Sequence, residues 1–506
     1  PLSLSPSPSP PLPLPLPPQT STMPIEYDLV IIGASEIGIR IATIAQQWGA
    51  RVALVEQGEQ PSQWLWQQTL FATVQTSELF QWCYPNPQKL DWQRAVQWAD
   101  GIAADDRQIH SLASLALQGI DAIAGWGKFT TVLPSQANPS QTISSQTISS
   151  QASPVKSNRK AHIGFQVGER LLRSRAYCIA LTEQPTDPPS FPEKSALTLA
   201  TALRQAPPNL SILGHGATAI ALASCLNRVG SQVTLITAAD HLLPNCDREF
   251  AHQVEHCLSH QGIKLLTQTQ VQTISASSET FKLQLKHPLG DHLHFTAELV
   301  DLTQSLTPLD TLNLEAIGLR TAAVKGDRFL QTQHPRVWLC PTTIADPQRL
   351  ATTLVDNMLF WPKRPVDLQG QPQQLTLQPN CAWVGLSETA ALAQFGNQVM
   401  TCSLIDRDRN TQMLDGSVGF YKLITRRNGQ ILGFSALGNN ASAIVSLFAV
   451  AMQQKIPLQK LQTSAIVPLS GLETLASIIN HWQAQRLEQQ YWQREWRLDW
   501  LVWHRR

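Results

Sequence analysis

Gly33, Ser35 and Gly38 fall at the spacing of a nucleotide-binding turn, Gly33-Ala-Ser35-Glu-Ile-Gly38, just after an apolar run. In such a turn the first glycine makes the bend, the second position lets the backbone approach a pyrophosphate, and the third lets a helix pack on a strand. The phosphates then meet unpaired amides at the positive end of the helix. Ser35 adds a Cβ at the point of approach, and its hydroxyl is able to donate to a phosphate. Glu56 ends the next apolar run, 23 residues after Gly33, where a carboxylate binds ribose hydroxyls. The alternative is the same layer with an empty site.

A second turn of this kind is Gly214-His-Gly216-Ala-Thr-Ala219, with alanine in the third place. Thr237 stands where an acid would select NAD and a nearby arginine the 2′-phosphate of NADP, so no choice between them is encoded. Here too an empty pocket remains open. Other constellations are weaker. His252 and His256 lie four apart with Glu255 and Cys257 beside them, but no third metal ligand accompanies them, and structural or solvated roles are expected. Ser470 before Gly471 lacks the strand–turn–helix setting of a nucleophile elbow. The eight cysteines form no CxxC or CxxxxC pair, which excludes a local zinc knuckle or redox dithiol and fits a reducing compartment.

The elements that must position the two turns repeat. Tyr27–Ile32, a helix to Trp48 and Arg51–Glu56 form one strand–turn–helix–strand unit; Leu210–Leu213, a helix to Val229 and Gln232–Thr237 form the other. Continuous apolar strands with crossover helices predict a buried parallel sheet in each. The segment from Cys381 differs. Gly419–Gly433 alternates about Asn428-Gly429, a hairpin signal, and a helix is expected over Ala441–Gln453. The fold class is therefore α/β with two Rossmann-like domains and a third, α+β domain.

The chain has 506 residues and a formal net charge of +1, with 43% hydrophobic and 15% charged residues. At about 150 residues per domain that is three to four domains' worth. The balance gives no electrostatic case for nucleic acid, the composition is too apolar for a disordered chain, and no apolar run reaches the length of a spanning helix. Residues 1–22 alternate Pro with Leu and Ser and read as an extended leader outside the fold, with Met23 as the expected natural start. Residues 135–157, with a tandem SQTIS repeat, read as a disordered insertion, and 362–378 as a Pro/Gln-rich linker. In the tail, 481–506, Trp492, Trp496, Trp500 and Trp503 share one helical face beside Arg494, Arg497, Arg505 and Arg506. Two roles fit it: lying on an anionic membrane, or docking on the protein's own surface or a dimer partner.

The order of segments resembles the pyridine nucleotide-disulfide oxidoreductases, in their glutathione-reductase-like and especially mercuric-reductase-like branch. Matching segments are Tyr27–Gly33, Gly125-Trp-Gly-Lys-Phe129, Gly230–Leu235, Leu242–Asp247, Leu314–Leu319, Trp383–Glu388, Gly419–Leu423 and Asn428–Gly433. The resemblance implies an FAD-binding domain over 23–205 and 326–361, an NAD(P)-binding domain over 206–325 and a dimerisation domain over 379–480. It assigns Gly33, Ser35, Gly38 and Glu56 to FAD, with Thr182 at the adenosine end and Thr342 near the ribityl chain, and Gly214, Gly216 and Ala219 to NAD or NADP.

Departures from the family pattern are as informative. Its redox CxxxxC is missing from Pro61 to Gln75, and Val467 takes the place of its C-terminal histidine, although Glu473 survives nearby. Pro341 and Thr342 replace its Gly-Asp, and Leu181-Thr182 lacks its glycine. A dithiol relay cannot run without its sulfurs. The expectation is an FAD-dependent oxidoreductase, NAD(P)H to flavin to an unknown small-molecule acceptor, without disulfide or mercuric reductase activity. It is expected to be a homodimer, cytoplasmic, with a peripheral membrane contact through the tail as one of that tail's two roles. The alternative is a catalytically inactive dimeric scaffold or regulatory pseudoenzyme.

Overall fold

The computed structural model describes residues 25–58, 65–74, 91–132, 162–181, 184–185, 194, 196–303, 305–306, 308–321, 324–341, 347–368, 370–406, 419–438, 440–461, 473–489, 500 and 502–504. The leader, the SQTIS insertion, Thr182, Thr342 and Val467 lie outside them.

The apolar run Tyr27–Ile32 becomes β1, followed by helix α1 (Glu36–Gln47) and β2 (Val52–Glu56). Helix α2 covers residues 65–74, and α3 (Trp92–Ile109) and α4 (Leu112–Leu117) lead to β3 (Asp121–Ala124). An antiparallel sheet of β4 (Gly127–Val132), β5 (His162–Val167) and β6 (Arg170–Leu172) precedes β7 (Ser174–Ile179). β1, β2, β3 and β7 belong to a parallel five-stranded sheet whose outer strand opposite β3 comes from far along the chain. The strands are apolar on both sides because both faces are covered. One face packs under α1, and the other lies on β4–β6 through Phe129, Phe165 and Tyr177, whose rings meet edge to face.

The pair β8 (Gln184–Pro185) and helix α5 (Leu199–Gln205) open the second domain, followed by β9 (Asn209–Leu213), α6 (Ala217–Val229), β10 (Gln232–Ile236), α7 (Arg248–His260) and β11 (Lys264–Leu266). A three-stranded antiparallel sheet follows: β12 (Gln270–Ala276), β13 (Phe281–His287) and β14 (Gly290–Thr296). β15 (Glu298–Asp301) then completes a parallel sheet of order β11-β10-β9-β15. β16 (Ser305–Leu306) pairs with β8, and β17 (Val337–Leu339) returns to the first sheet beside β7. Helix α8 (Pro347–Leu359) lies along α1, with Leu350, Ala351, Leu354 and Val355 in one core with Ile41, Ala42 and Ala45. The first sheet is thus completed only after the second has formed.

β18 (Gln373–Leu375), inside the stretch read as a linker, starts the third domain's antiparallel sheet. β19 (Cys381–Gly385), α9 (Glu388–Phe395), β20 (Val399–Asp406), β21 (Gly419–Arg426) and β22 (Ile431–Leu437) follow. The β21–β22 hairpin turns at Asn428–Gly429, with Gly429 at φ 91°. Helix α10 spans Ala441–Gln453, and its Phe448 stacks on Phe434 of β22 at 4.0 Å. Helix α11 (Glu473–Gln489) buries Trp482, whose Nε1 donates to Thr425 Oγ1 at 2.8 Å. Of the tail tryptophans, Trp500 and Trp503 are exposed, and Trp492 and Trp496 lie outside the described residues. No described helix is long and apolar enough to cross a membrane.

Candidate functional site

The first turn is closed by its own chain. Gly33 adopts φ 112°, a conformation open to glycine, and its N–H donates to Val55. A Cβ on Gly38 would lie 2.2 Å from the Gly33 carbonyl oxygen, so glycine is required there for α1 to reach the sheet. Ser35 caps α1: its hydroxyl accepts from the Gly38 amide at 3.2 Å and donates to the carbonyl of Ala180, 145 residues away. The Ser35 side chain therefore faces inward, and the residue is 2% exposed. Of the first-turn amides, those of Glu36 and Ile37 stay outside this capping pattern. Glu36 bonds Arg40 at 2.9 Å. Glu56 is half-buried at the end of β2.

The second turn is open. Gly214 has φ 150° and bonds Ile236 through its amide. Gly216 is the N-cap of α6, is exposed, and supplies no side-chain cap; a Cβ there would meet nothing within 4 Å. The amides of Ala217, Thr218 and Ala219 thus lack a cap, while the methyl of Ala219 is buried between helix and sheet. The carbonyl of His215 accepts from Leu243 and ties the following loop to the turn. Thr237 is buried, and its hydroxyl accepts from Ala239 N at 3.1 Å. Its hydroxyl is engaged by its own loop.

Inward-facing Trp66, Leu70, Phe71 and Val74 of α2 share an apolar cluster with Ala95 and Ala99 of α3 and with Ala221, Leu222 and Cys225 of α6. Burial pushes the thiols of Cys178, Cys225 and Cys246 up to about 12 and that of Cys402 to about 11, and it raises those of Cys257, Cys340 and Cys381 as well. These groups are thiols rather than reactive thiolates at neutral pH. Cys83 lies outside the described residues. A cavity of about 440 Å³ runs along α1 beside the first turn, lined by Glu36, Arg40, Asp106, His110 and Gln348. Of the His252–His256 group, His252 bonds Glu255 at 3.0 Å and Glu255 also accepts from Leu242 N. No group able to hold a metal occurs among the described residues.

Sequence reading missed the cluster about Lys422. This lysine of β21 bonds Asp247 at 2.9 Å, Glu249 at 3.0 Å and Glu388 at 2.7 Å, while only 5% of its side chain is exposed. Burial pushes its pKa down, but the bonds to Glu388, Asp247 and Glu249 outweigh this and raise it. It pins α7 of the second domain to α9 and β21 of the third. The available signal was a lysine inside the apolar run Gly419–Leu423.

The residues fit the adenosine-diphosphate ends of two dinucleotides: glycine bends that a Cβ would break, helix N-termini with uncapped amides, and the Glu56 carboxylate at a strand end. The pyridine nucleotide-disulphide oxidoreductase model matches residues 157–348 and the dimerisation-domain model of the same family matches 372–471. Mercuric reductase of Staphylococcus aureus is 24% identical over 89% of this chain and 81% of its own length. Dihydrolipoyl dehydrogenase 3 of Pseudomonas putida is 25% identical over 84% and 92%. The HOCl-induced flavoprotein disulfide reductase RclA of Escherichia coli shares the fold, with TM-score 0.71 at 20% identity over 90% of this chain and 99% of that one. Members of this family are FAD-dependent and use NAD(P)H. The chain belongs to the pyridine nucleotide-disulphide oxidoreductase family.

Proposed function

We propose that the protein is an FAD-dependent oxidoreductase that takes reducing equivalents from NADH or NADPH and delivers them to a small-molecule acceptor without a disulfide relay. The observation that carries this is α2. The segment Pro61–Gln75, where the family's redox pair belongs, contains no cysteine, and the inward residues of α2 are core side chains. When bound, FAD would supply the hydride and electron-transfer chemistry at this site.

The chain's own groups bind and orient. The amides of Glu36 and Ile37, at the positive end of α1, would hold the flavin's pyrophosphate, with Ser35 keeping the turn in shape. Glu56 accepts from the adenosine ribose. The amides of Ala217, Thr218 and Ala219 take the pyrophosphate of the nicotinamide nucleotide. Thr342 and Thr182 are assigned to the ribityl and adenosine ends on the family pattern. The dimerisation domain supports a homodimer, to be checked by light scattering at micromolar concentration.

The purified full chain is expected to show visible flavin bands that NADH or NADPH bleaches without oxygen. It should reduce glutathione disulfide, lipoamide and mercuric ion no faster than free flavin. Turnover of any of the three overturns the assignment of acceptor. A colourless, folded dimer overturns the flavin reading and favours the inactive scaffold.

A further inference from the structure

We propose that the amino edge of the first parallel sheet docks on an anionic lipid surface; the inference is independent of the flavin reading and concerns the edge opposite the first glycine turn. β1, β2, β7 and β17 run parallel, so all four begin on one edge. α1 and α8 end there as well. α1 returns through Gly49 and Ala50 to the start of β2, and Phe360, just past α8, meets Trp48, just past α1, with ring centroids 5.5 Å apart.

Three large aromatic side chains crowd these two helix ends. Trp48 is 58%, Phe360 47% and Trp361 87% exposed. Single exposed apolar residues are ordinary, but a cluster of rings left in water marks a contact surface. Indoles suit a bilayer interface, where the ring meets acyl chains and the N–H meets the headgroups.

Charge identifies the partner. The residues immediately before β2, β7 and β17 are Arg51, Arg173 and Arg336, while β1 is preceded by Glu26. Arg175 lies exposed on β7, and Lys363 and Arg364 follow Trp361 within three residues. The acids that answer them are Asp28, 3.5 Å from Arg51 and 3.9 Å from Arg175, and Asp356, 3.8 Å from Arg364. Asp121, at the start of β3, is already matched by Arg170 at 2.7 Å. Six basic residues thus stand against three acids, Glu26 included, in a chain whose net charge is only +1. The carboxyl ends of α1 and α8 add partial negative charge, which this excess of cations outweighs. Apolar rings inside a basic rim match a bilayer whose acyl chains lie just beneath anionic headgroups.

The test is co-sedimentation of the full-length protein with vesicles of phosphatidylcholine alone and of phosphatidylcholine with phosphatidylglycerol. Wild type is expected to bind the anionic vesicles about tenfold or more tighter than the neutral ones, and to release them near 1 M salt, where the screening length falls to about 3 Å. Trp48→Ala/Trp361→Ala is expected to weaken binding about tenfold or more with an unchanged melting temperature, because both side chains are exposed. Trp361→Ala alone, at the most exposed of the three rings, reads the same contact if the double variant melts early. Trp500→Ala/Trp503→Ala is the comparison, and binding within about threefold of wild type assigns the contact to the sheet edge. No sedimentation of wild type, which a second copy or the leader covering the rings would also give, overturns the proposal. So does binding that the Trp48→Ala/Trp361→Ala protein keeps within about threefold, or that is lost with Trp500 and Trp503 instead.

Discussion

At Gly33–Gly38 the chain closes its own helix end: Ser35 caps the third amide, Glu36 puts a carboxylate in the first turn of α1, and the Ser35 hydroxyl reaches across to the strand end at Ala180. At Gly214–Ala219 the same bend carries no cap, no acid and no side chain at the cap position. A serine cap is worth about 1 kcal/mol over a residue that cannot cap. The first turn therefore holds its shape with or without a phosphate, whereas the second leaves its helix dipole for a ligand to answer. Lys422 ties the second domain to the third from outside the turn, while the first turn is laced by its own serine.

The largest test of this contrast is Lys422→Met. It leaves Asp247, 3% exposed, without its cation. Breaking a buried pair on one side costs about 3–5 kcal/mol, so the thermal unfolding midpoint should fall steeply. The lysine's pKa is raised on folding, so its stabilisation is fully present below the unfolded value of about 10.4 and is lost only as pH rises through the higher folded one. The gap between wild type and variant should accordingly stay constant from about pH 6 to pH 9. A gap that closes within that range would mean that the cluster does not hold its charge.

Next in size is the pair Gly38→Ala and Gly216→Ala. The first forces a Cβ onto the Gly33 carbonyl and should cost about 3 kcal/mol; the second enters open space at φ −85° and should be neutral for stability. Equal effects in chemical denaturation would erase the difference between the turns. The smallest test exchanges their caps. Ser35→Gly should lower stability by about 1–2 kcal/mol, by losing the cap and orphaning the Ala180 carbonyl. Gly216→Ser should raise it by a few tenths of a kcal/mol while weakening NADPH binding in a fluorescence titration, because the new hydroxyl competes for the amides. Unweakened NADPH binding in Gly216→Ser would show that these amides are not the phosphate site.

Both strand–turn–helix–strand units were legible, since apolar strands of five or six residues end on glycines that nothing else explains. The hairpin at Asn428-Gly429 and the helix Ala441–Gln453 were equally plain, because local turn chemistry and periodicity decide them. The direction of the Ser35 hydroxyl was not legible, for it depends on a carbonyl 145 residues on. Nor was the Lys422 cluster, whose partner Asp247 is 175 residues away. Spacing in one sequence announces a glycine turn but not which chain segment will pack against it. The patch of Trp48, Phe360 and Trp361 was not legible either, since exposure is a property of the assembled surface.

The packing of α2 has a mechanical consequence. Trp66, Leu70, Phe71 and Val74 sit in one cluster with the helices of the neighbouring domain, so a cysteine in place of Trp66, Leu70 or Phe71 would remove buried side-chain volume and cost stability. A variant given thiols there would fold with a looser join between the domains. In this chain the helix works as an adhesive between them.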